Sequence, residues 1–420
     1  MRLILAVLIP VALLLAYIVW VKSRRRPLRY LVDRTDDAAS LAPAFAGLTW
    51  GHLVHGNSVE IVQNARFFDS LLDDIGKARD SVHLETFLWR NGIVSDRFAE
   101  GLVAASQRGV EVRVLVDQRG AKQTSPAVWA RLRAGGCDFR VYHRARFREF
   151  AWYNHRDHRK IAVIDGRIGY TFGHGIADMW GGNPQEMVGW RDTAARFKGP
   201  VVNSLQSGFF ENWTRTTGEA LASARFFPEL APAGDVSVHV AFVSPRETPS
   251  SVQRLYYLAI ASAREEIILQ NPYFIPDRQA LALFEAAVKR GVRVRIMLPT
   301  AERSDFAIVQ HASHYFYGFL LRLGVELLEY DLEKSGLHQK VLIIDRSWCT
   351  VGSTNFDPRS FRINDEITVA IHDASIAEDL RRCFDEDAVH AHRWTLAEWD
   401  GRDFVHRVKD RAAAVVKRQL

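Results

Sequence analysis

The sequence predicts an α/β protein built from two tandem copies of one domain. Each copy is a mostly parallel or mixed sheet flanked by helices, and one transmembrane helix precedes the pair. Three observations predict this. The pattern H-x-K-x-x-x-x-D occurs twice, from His158 through Lys160 to Asp165 and from His338 through Lys340 to Asp345, 180 positions apart. A second pair of segments, 104–114 and 286–296, matches at an offset of 182, and two matches at nearly one offset mark a duplicated unit. Residues 3–21 form an uninterrupted apolar run of 19.

At ~1.5 Å per residue that run reaches about 28 Å, close to the hydrocarbon thickness of a bilayer. Pro10 is tolerated in a membrane helix. Lys22, Arg24, Arg25, Arg26 and Arg29 follow the run and only Arg2 precedes it, a bias that places the rest of the chain on the cytoplasmic side. A cleaved signal peptide is the rival reading; the run is long for one, and no small-x-small site follows. Residues 1–26 are therefore expected to be an anchor with a basic flank, single-pass in the inner (cytoplasmic) membrane.

Residues 27–55 read as a connector, since Asp36-Asp37-Ala38-Ala39-Ser40 is small and polar and no period appears. The first domain spans 56–232. Val59–Val62 reads as a strand, and Phe67, Phe68, Leu71, Leu72 and Ile75 fall at helical spacing. Val82–Leu88 reads as a strand, Phe98–Gln107 as a helix stopped by Gly109, and Val110–Val116 as a strand. Such βαβ alternation calls for a mostly parallel sheet with helices on its faces. Pro228, Pro232 and Gly234 mark the seam. The second domain, 233–392, repeats the order with a helix over Val252–Ala263, a strand over Glu266–Leu269, a helix over Ala280–Lys289 and a strand over Val292–Leu298. In the tail, 393–420, Val405, Val408, Ala412, Val415 and Val416 share one helical face while Arg407, Lys409, Arg411, Lys417 and Arg418 lie elsewhere. Such a basic amphipathic helix either packs on the second domain, the reading favoured here, or lies on anionic membrane.

With 420 residues and 48% hydrophobic content, two cores can be filled. A net charge of +6 and a pI near 9.2 suit an acidic partner, whether anionic lipid, phosphate substrate or nucleic acid, although a slightly basic surface with no partner fits equally. Cys137, Cys349 and Cys383 have neither metal-ligand spacing nor a disulfide framework.

Each motif places an imidazole and an ammonium two residues apart, next to four apolar residues that read as a buried strand. The inventory of two His and two Lys suits phosphodiester transfer. One neutral imidazole attacks phosphorus and forms a phosphohistidine. A second, protonated, imidazole protonates the leaving oxygen, then takes a proton from the incoming alcohol or water. The lysines stabilise the developing charge. No Asp/Glu/His cluster in the sequence suggests a metal, and two lysines can supply an ion's electrostatic work. Each imidazole needs an orienting acceptor. Spacing leaves open which histidine attacks.

These motifs, with Leu84-Glu85-Thr86-Phe87, Gly199-Pro200-Val201, Asn271-Pro272-Tyr273-Phe274 and Gly352-Ser353-Thr354-Asn355-Phe356-Asp357-Pro358-Arg359-Ser360, resemble the phospholipase D superfamily and, within it, the bacterial cardiolipin synthases. The resemblance runs from about Gly56 to the C-terminus. It implies a catalytic set of His158, Lys160, Asp165, His338, Lys340 and Asp345, with His158 as nucleophile, His338 as acid/base and the two aspartates as scaffold. It implies that Ser353 and Asn355 bind the substrate phosphate, and that Asp192 and Glu366 orient the histidines, each following its own histidine by 34 and 28 positions. The implied activity is transfer of a phosphatidyl group between phosphatidylglycerol molecules. The implied partners are anionic phospholipid and the membrane, without cofactor or metal, nucleic acid or obligate protein partner. A hydrolytic phospholipase, a nuclease and a non-catalytic lipid-binding protein are the rivals. The first half departs from the family pattern T-G-G-x-N-I-x-D: Phe172 stands for a glycine and Gly175 for the asparagine, while His174 between them is expected to be structural.

Overall fold

The computed structural model describes residues 30–33, 36–38, 40–142, 154–182, 189–244, 250–304, 306–333, 335–403 and 410. The apolar run 3–21 and the apolar face of the tail lie outside the described residues, among which no helix is long and apolar enough to cross a membrane.

Among the described residues, fifteen strands form one continuous sheet. The first half contributes β1 (Leu53–Gln63), β2 (Ser81–Thr86), β3 (Glu111–Asp117), β4 (Asp138–Tyr142), β5 (Ile161–Ile164), β6 (Ile168–Phe172) and β7 (Thr193–Lys198). The second contributes β8 (Val236–Val243), β9 (Glu266–Gln270), β10 (Arg293–Pro299), β11 (Glu326–Tyr330), β12 (Val341–Ile344), β13 (Trp348–Gly352), β14 (Glu366–His372) and β15 (Ala391–Arg393). From the junction outward, the first half runs β1-β7-β6-β5-β2-β3-β4 and the second β8-β14-β13-β12-β9-β10-β11, with β15 added at the edge. Corresponding strands hold corresponding places. The halves join where β1 pairs antiparallel with β8.

Each half-sheet is mixed rather than mostly parallel. β2–β3–β4 and β9–β10–β11 are parallel because helices cross between them. These are α3 (Ile93–Gln107) and α4 (Pro126–Ala134) in the first half, and α7 (Arg278–Lys289) and α8 (Ala307–Leu323) in the second, numbering from α1 (Ala42–Leu48) and α2 (Arg66–Lys77), with α5 (Val202–Thr217) and α6 (Ser251–Ser262) between and the short α9 (Pro358–Arg362) after. β5–β6 and β12–β13 are instead tight hairpins and run antiparallel.

Side-chain alternation along the motif strands distributes the core. Ile161 and Val163 face an inner layer that also receives Val341 and Ile343, while Ala162, Ile164, Leu342 and Ile344 face outer layers. The inner layer holds α5, through Leu205, Phe209 and Trp213, and α10 (Ala374–Ala388), through Leu380 and Phe384. The result is five layers: helices, half-sheet, helices, half-sheet, helices. Burial on both faces explains why the motif strands carry four apolar residues in a row.

Two expected boundaries move. The connector is not featureless: α1 lies within it, Phe45 is fully buried 5.4 Å from the Trp348 ring, and Tyr30 sits 6.0 Å from Tyr257. Apolar side chains at Ala42, Phe45 and Ala46 outweighed the polar stretch before them. The tail also begins later than expected, because β15 pairs with β11 and α11 (Leu396–Asp400) buries Trp399 in the second domain's outer core.

Candidate active site

Both His-x-Lys pairs lie in extended backbone just before their strands, and each segment is stitched to the other half. His158 N–H donates to Asp365 C=O (2.9 Å) and Asp365 N–H to Arg156 C=O (2.8 Å). Likewise His338 N–H donates to Arg191 C=O (2.8 Å) and Arg191 N–H to Gly336 C=O (2.7 Å). The next residue along, Glu366 or Asp192, then carries its carboxylate to the imidazole. His158 Nδ1 lies 2.9 Å from Glu366 Oε2, and His338 Nδ1 lies 2.8 Å from Asp192 Oδ2. Each histidine is thus held by the acid of the opposite half, not by the acid that follows it in sequence. This corrects the expected pairing of His158 with Asp192 and of His338 with Glu366.

A carboxylate at Nδ1 leaves Nε2 to face the reaction. Lys160 Nζ lies 3.2 Å from His158 Nε2, while Lys340 Nζ lies over the edge of the His338 ring, 2.6 Å from Nδ1 and 3.0 Å from Nε2. Both lysines are buried.

The motif aspartates lie at the far ends of their strands and serve the backbone. Asp165 accepts from the N–H groups of Arg79, Asp80 and Ser81 at 3.0, 2.7 and 2.9 Å. Asp345 accepts from Arg264, Glu265 and Glu266 at 2.9, 2.8 and 2.9 Å. Each also begins the hairpin turn after its strand with a left-handed backbone, φ 53° and 49°, which aspartate tolerates better than most residues. The aspartates clamp the entries to β2 and β9, away from the imidazoles.

The two orienting acids differ electrostatically. Burial raises the Asp192 carboxyl, but Lys340, His174 and His338 outweigh it and hold it at about 2. Burial of Glu366 is only partly offset by Lys160, Ser353, Ser360 and Asn364, and its carboxyl is pushed up to about 7. The surroundings thus favour the ionised form at Asp192 and disfavour it at Glu366.

The degenerate first half explains part of this difference. Ser353 donates its hydroxyl to Glu366 Oε2. The hydroxyl is therefore engaged by the carboxylate, where a direct phosphate contact was expected. The corresponding residue is Gly173, and a Cβ there would lie 2.0 Å from Asp192 Oδ1. The donor comes instead from Trp180, whose Nε1–H reaches Asp192 Oδ2 at 2.9 Å. Trp180 also fills the space left by Gly175: a Cβ at 175 would meet Leu88 at 2.7 Å and the indole at 2.9 Å. Trp180 and Trp190 then pack on His338 with ring centroids 5.2 and 5.6 Å away. Phe172 turns into the outer core against Phe67. His174 is fully buried, its Nε2 2.9 Å from Asn64 C=O, and burial lowers its pKa to about 4. It packs as a structural residue. Asn355 is buried, with Oδ1 unpartnered among the described residues.

Trp180 and Trp190 belong to the site although no motif in the sequence marks them. Trp180 follows Gly175 by five residues in no recognisable pattern, and only the approach of its indole to Gly175, where a Cβ would lie 2.9 Å away, marks it.

Residues 71–176 and 256–388 match the family model described as cardiolipin synthase, PLD-like domain. The chain belongs to the cardiolipin synthase family of phospholipase D-like proteins. It is 31% identical over 358 residues to the major cardiolipin synthase ClsA of Bacillus subtilis, covering 84% of this chain and 73% of that one. It is also 31% identical over 361 residues to a cardiolipin synthase of Oceanobacillus iheyensis, covering 86% and 74%. The crystal structure of phosphatidylserine synthase from Haemophilus influenzae Rd KW20 superposes with a TM-score of 0.72 over 91% of this chain and 100% of that one. At 13% identity it establishes a shared fold only.

Proposed function

We propose that this member of the cardiolipin synthase family is a phosphatidyltransferase that joins two phosphatidylglycerol molecules. The observation that carries the proposal is the crossed pair of histidines, His158 held by Glu366 at 2.9 Å and His338 by Asp192 at 2.8 Å, each beside a buried lysine. An ionised Asp192 favours the imidazolium form of His338, whereas a partly neutral Glu366 favours that form less at His158. His158 is accordingly the nucleophile and His338 the acid, with Lys160 and Lys340 balancing charge on the phosphoryl oxygens and Asn355 placed to hydrogen-bond one of them.

In the first step His158 Nε2 forms a bond to phosphorus, the P–O bond to glycerol breaks, and His338 gives its proton to the departing alkoxide. Glycerol leaves. In the second step a hydroxyl of another phosphatidylglycerol gives its proton to His338 and attacks phosphorus, and the P–N bond to His158 breaks. The product is cardiolipin, and both histidines return to their starting states. Asp165 and Asp345 hold the scaffold. The domain boundary at 232/233 and the membrane anchor over residues 3–21, with the site on the cytoplasmic face, complete the proposal.

The test is purified enzyme with phosphatidylglycerol alone. Cardiolipin and glycerol in equal amounts support transfer between lipids. Phosphatidic acid as the main product would replace this reading with hydrolysis by the same residues.

A further inference from the structure

The outer face of the second half carries a side-chain cluster that the reaction does not use. His311 and His314 lie three residues apart on α8, a spacing that puts both rings on one helical face. Asp410, buried, reaches them from the C-terminal segment. Its Oδ1 lies 3.1 Å from His311 Nδ1 and 3.2 Å from His314 Nδ1, and all three ligand atoms fall within 4.8 Å of one another. We propose that His311, His314 and Asp410 bind one transition-metal dication of the zinc class.

The geometry suits such an ion. Zinc takes imidazole nitrogen and carboxylate oxygen at roughly 2.0–2.2 Å, which separates tetrahedral donors by roughly 3.5 Å, near the distances already present. The supporting residues are also those of a metal site. His314 Nε2 lies 2.8 Å from Glu329 Oε1, so the carboxylate fixes the ring with Nδ1 toward the ion. Glu329 is itself fixed by Tyr317 Oη and Trp394 Nε1, both at 2.9 Å. The other Asp410 oxygen accepts from Arg402 at 2.7 Å, which turns Oδ1 inward. Asp410 already gathers the two rings by hydrogen bonds, so metal binding would exchange protons for the ion without moving the chain far. His314 and Asp410 also line a cavity of about 470 Å³ with Tyr315, Phe319 and Trp399. A fourth coordination position facing that cavity can hold water. The ion would tie residue 410 to α8, apart from His158 and His338 at the junction of the halves.

The test uses the full chain, stripped with EDTA and titrated with Co²⁺ while visible absorption is followed, then with Zn²⁺ in competition. One Co²⁺ per chain with a four- or five-coordinate spectrum, displaced by Zn²⁺, is expected. His311→Ala and Asp410→Asn should each weaken binding at least about 10-fold. His311 is the most exposed of the three groups, so His311→Ala should remain folded by circular dichroism even if His314→Ala does not. The His158→Ala/His338→Ala double variant should bind as the natural chain does. Absence of saturable binding, or affinity unchanged in both His311→Ala and Asp410→Asn, overturns the site. Binding lost in the His158/His338 variant overturns it too, by placing the ion on the catalytic pair.

Discussion

The ring of His158 and the carboxylate of Glu366 meet at 2.9 Å across 208 positions of sequence, one from each half of the chain. The reciprocal contact, His338 to Asp192, closes the exchange. Neither motif therefore has a complete dyad of its own.

The two acids should fail differently. Asp192→Asn removes a fixed negative charge from the proposed acid and should lower kcat by about 10²–10⁴. Glu366→Gln resembles the neutral form that burial favours at Glu366, so its loss should be smaller. Equal losses would remove the basis for assigning His338 as the acid. Stability should also respond to pH with opposite signs. From about 4.5 to about 7 the folded chain keeps a proton on Glu366 that the unfolded chain has released, so this group's contribution falls as pH rises across that window. Glu366→Gln should flatten that slope in urea midpoints. Asp192 contributes above pH 3.8 and loses its contribution as pH falls toward about 2.

The covalent step makes its own demand. In His338→Ala the attack is less impaired than the return of the phosphatidyl group to an alcohol, so phosphatidyl-enzyme should accumulate on His158. His158→Ala should accumulate none. Mass spectrometry locating the adduct on His338 would exchange the two roles.

Asp165 and Asp345 should prove to be fold residues. Asp165→Ala removes the acceptor for three N–H groups and should cost about 1–3 kcal/mol in a denaturant titration. The molecules that remain folded should turn over within about 10-fold of normal, less than one acid/base group is worth. A well-folded but inactive Asp165→Ala protein would give the aspartate a part in the chemistry.

Trp180→Phe keeps an aromatic ring near His338, deletes the Nε1–H donor to Asp192 and trims the part of the indole that fills the space at Gly175. Loss of one buried hydrogen bond to a charged group, about 1.5–3 kcal/mol, corresponds to roughly 10- to 150-fold in kcat if it is felt in the transition state. A shifted pH profile should accompany it, because Asp192 loses a stabilising donor. An unchanged profile with reduced stability would leave Trp180 a packing residue only.

Deleting residues 1–26 should spare Tyr30 and α1 and so leave the fold intact. The shortened enzyme should keep its rate on a short-chain, water-soluble phosphatidylglycerol. It should be slower on vesicles, where an anchor raises the local concentration of substrate. Inactivity on the soluble lipid, with normal circular dichroism, refutes the division between anchor and catalytic halves.

Much of this was legible because the chemistry is written twice. The spacing of His158, Lys160 and Asp165 recurs at His338, and the flanking apolar quartets mark β5 and β12 without ambiguity. What escaped was whatever the fold assembles from distant positions. Nothing in the intervals of 34 and 28 residues indicates that Asp192 serves His338 and Glu366 serves His158. That follows from the parallel pairing of Arg191 with Leu337 and Asp157 with Asp365. Phe45 sits in a stretch without periodicity and packs because Trp348 offers a partner. His311, His314 and Asp410 are spread over 99 positions and meet only because the chain returns to α8.

The pairing of β1 with β8 bears on how the molecule can be handled. Each half, taken alone, would present that strand as a raw edge with unsatisfied hydrogen-bonding groups. A lone half would thus have reason to associate with a second half along that edge, and in the single chain the association is permanent. Fragments divided in the exposed stretch between α5 and β8 should accordingly be inert when purified apart. They should regain activity on mixing, as two halves of a split reporter do.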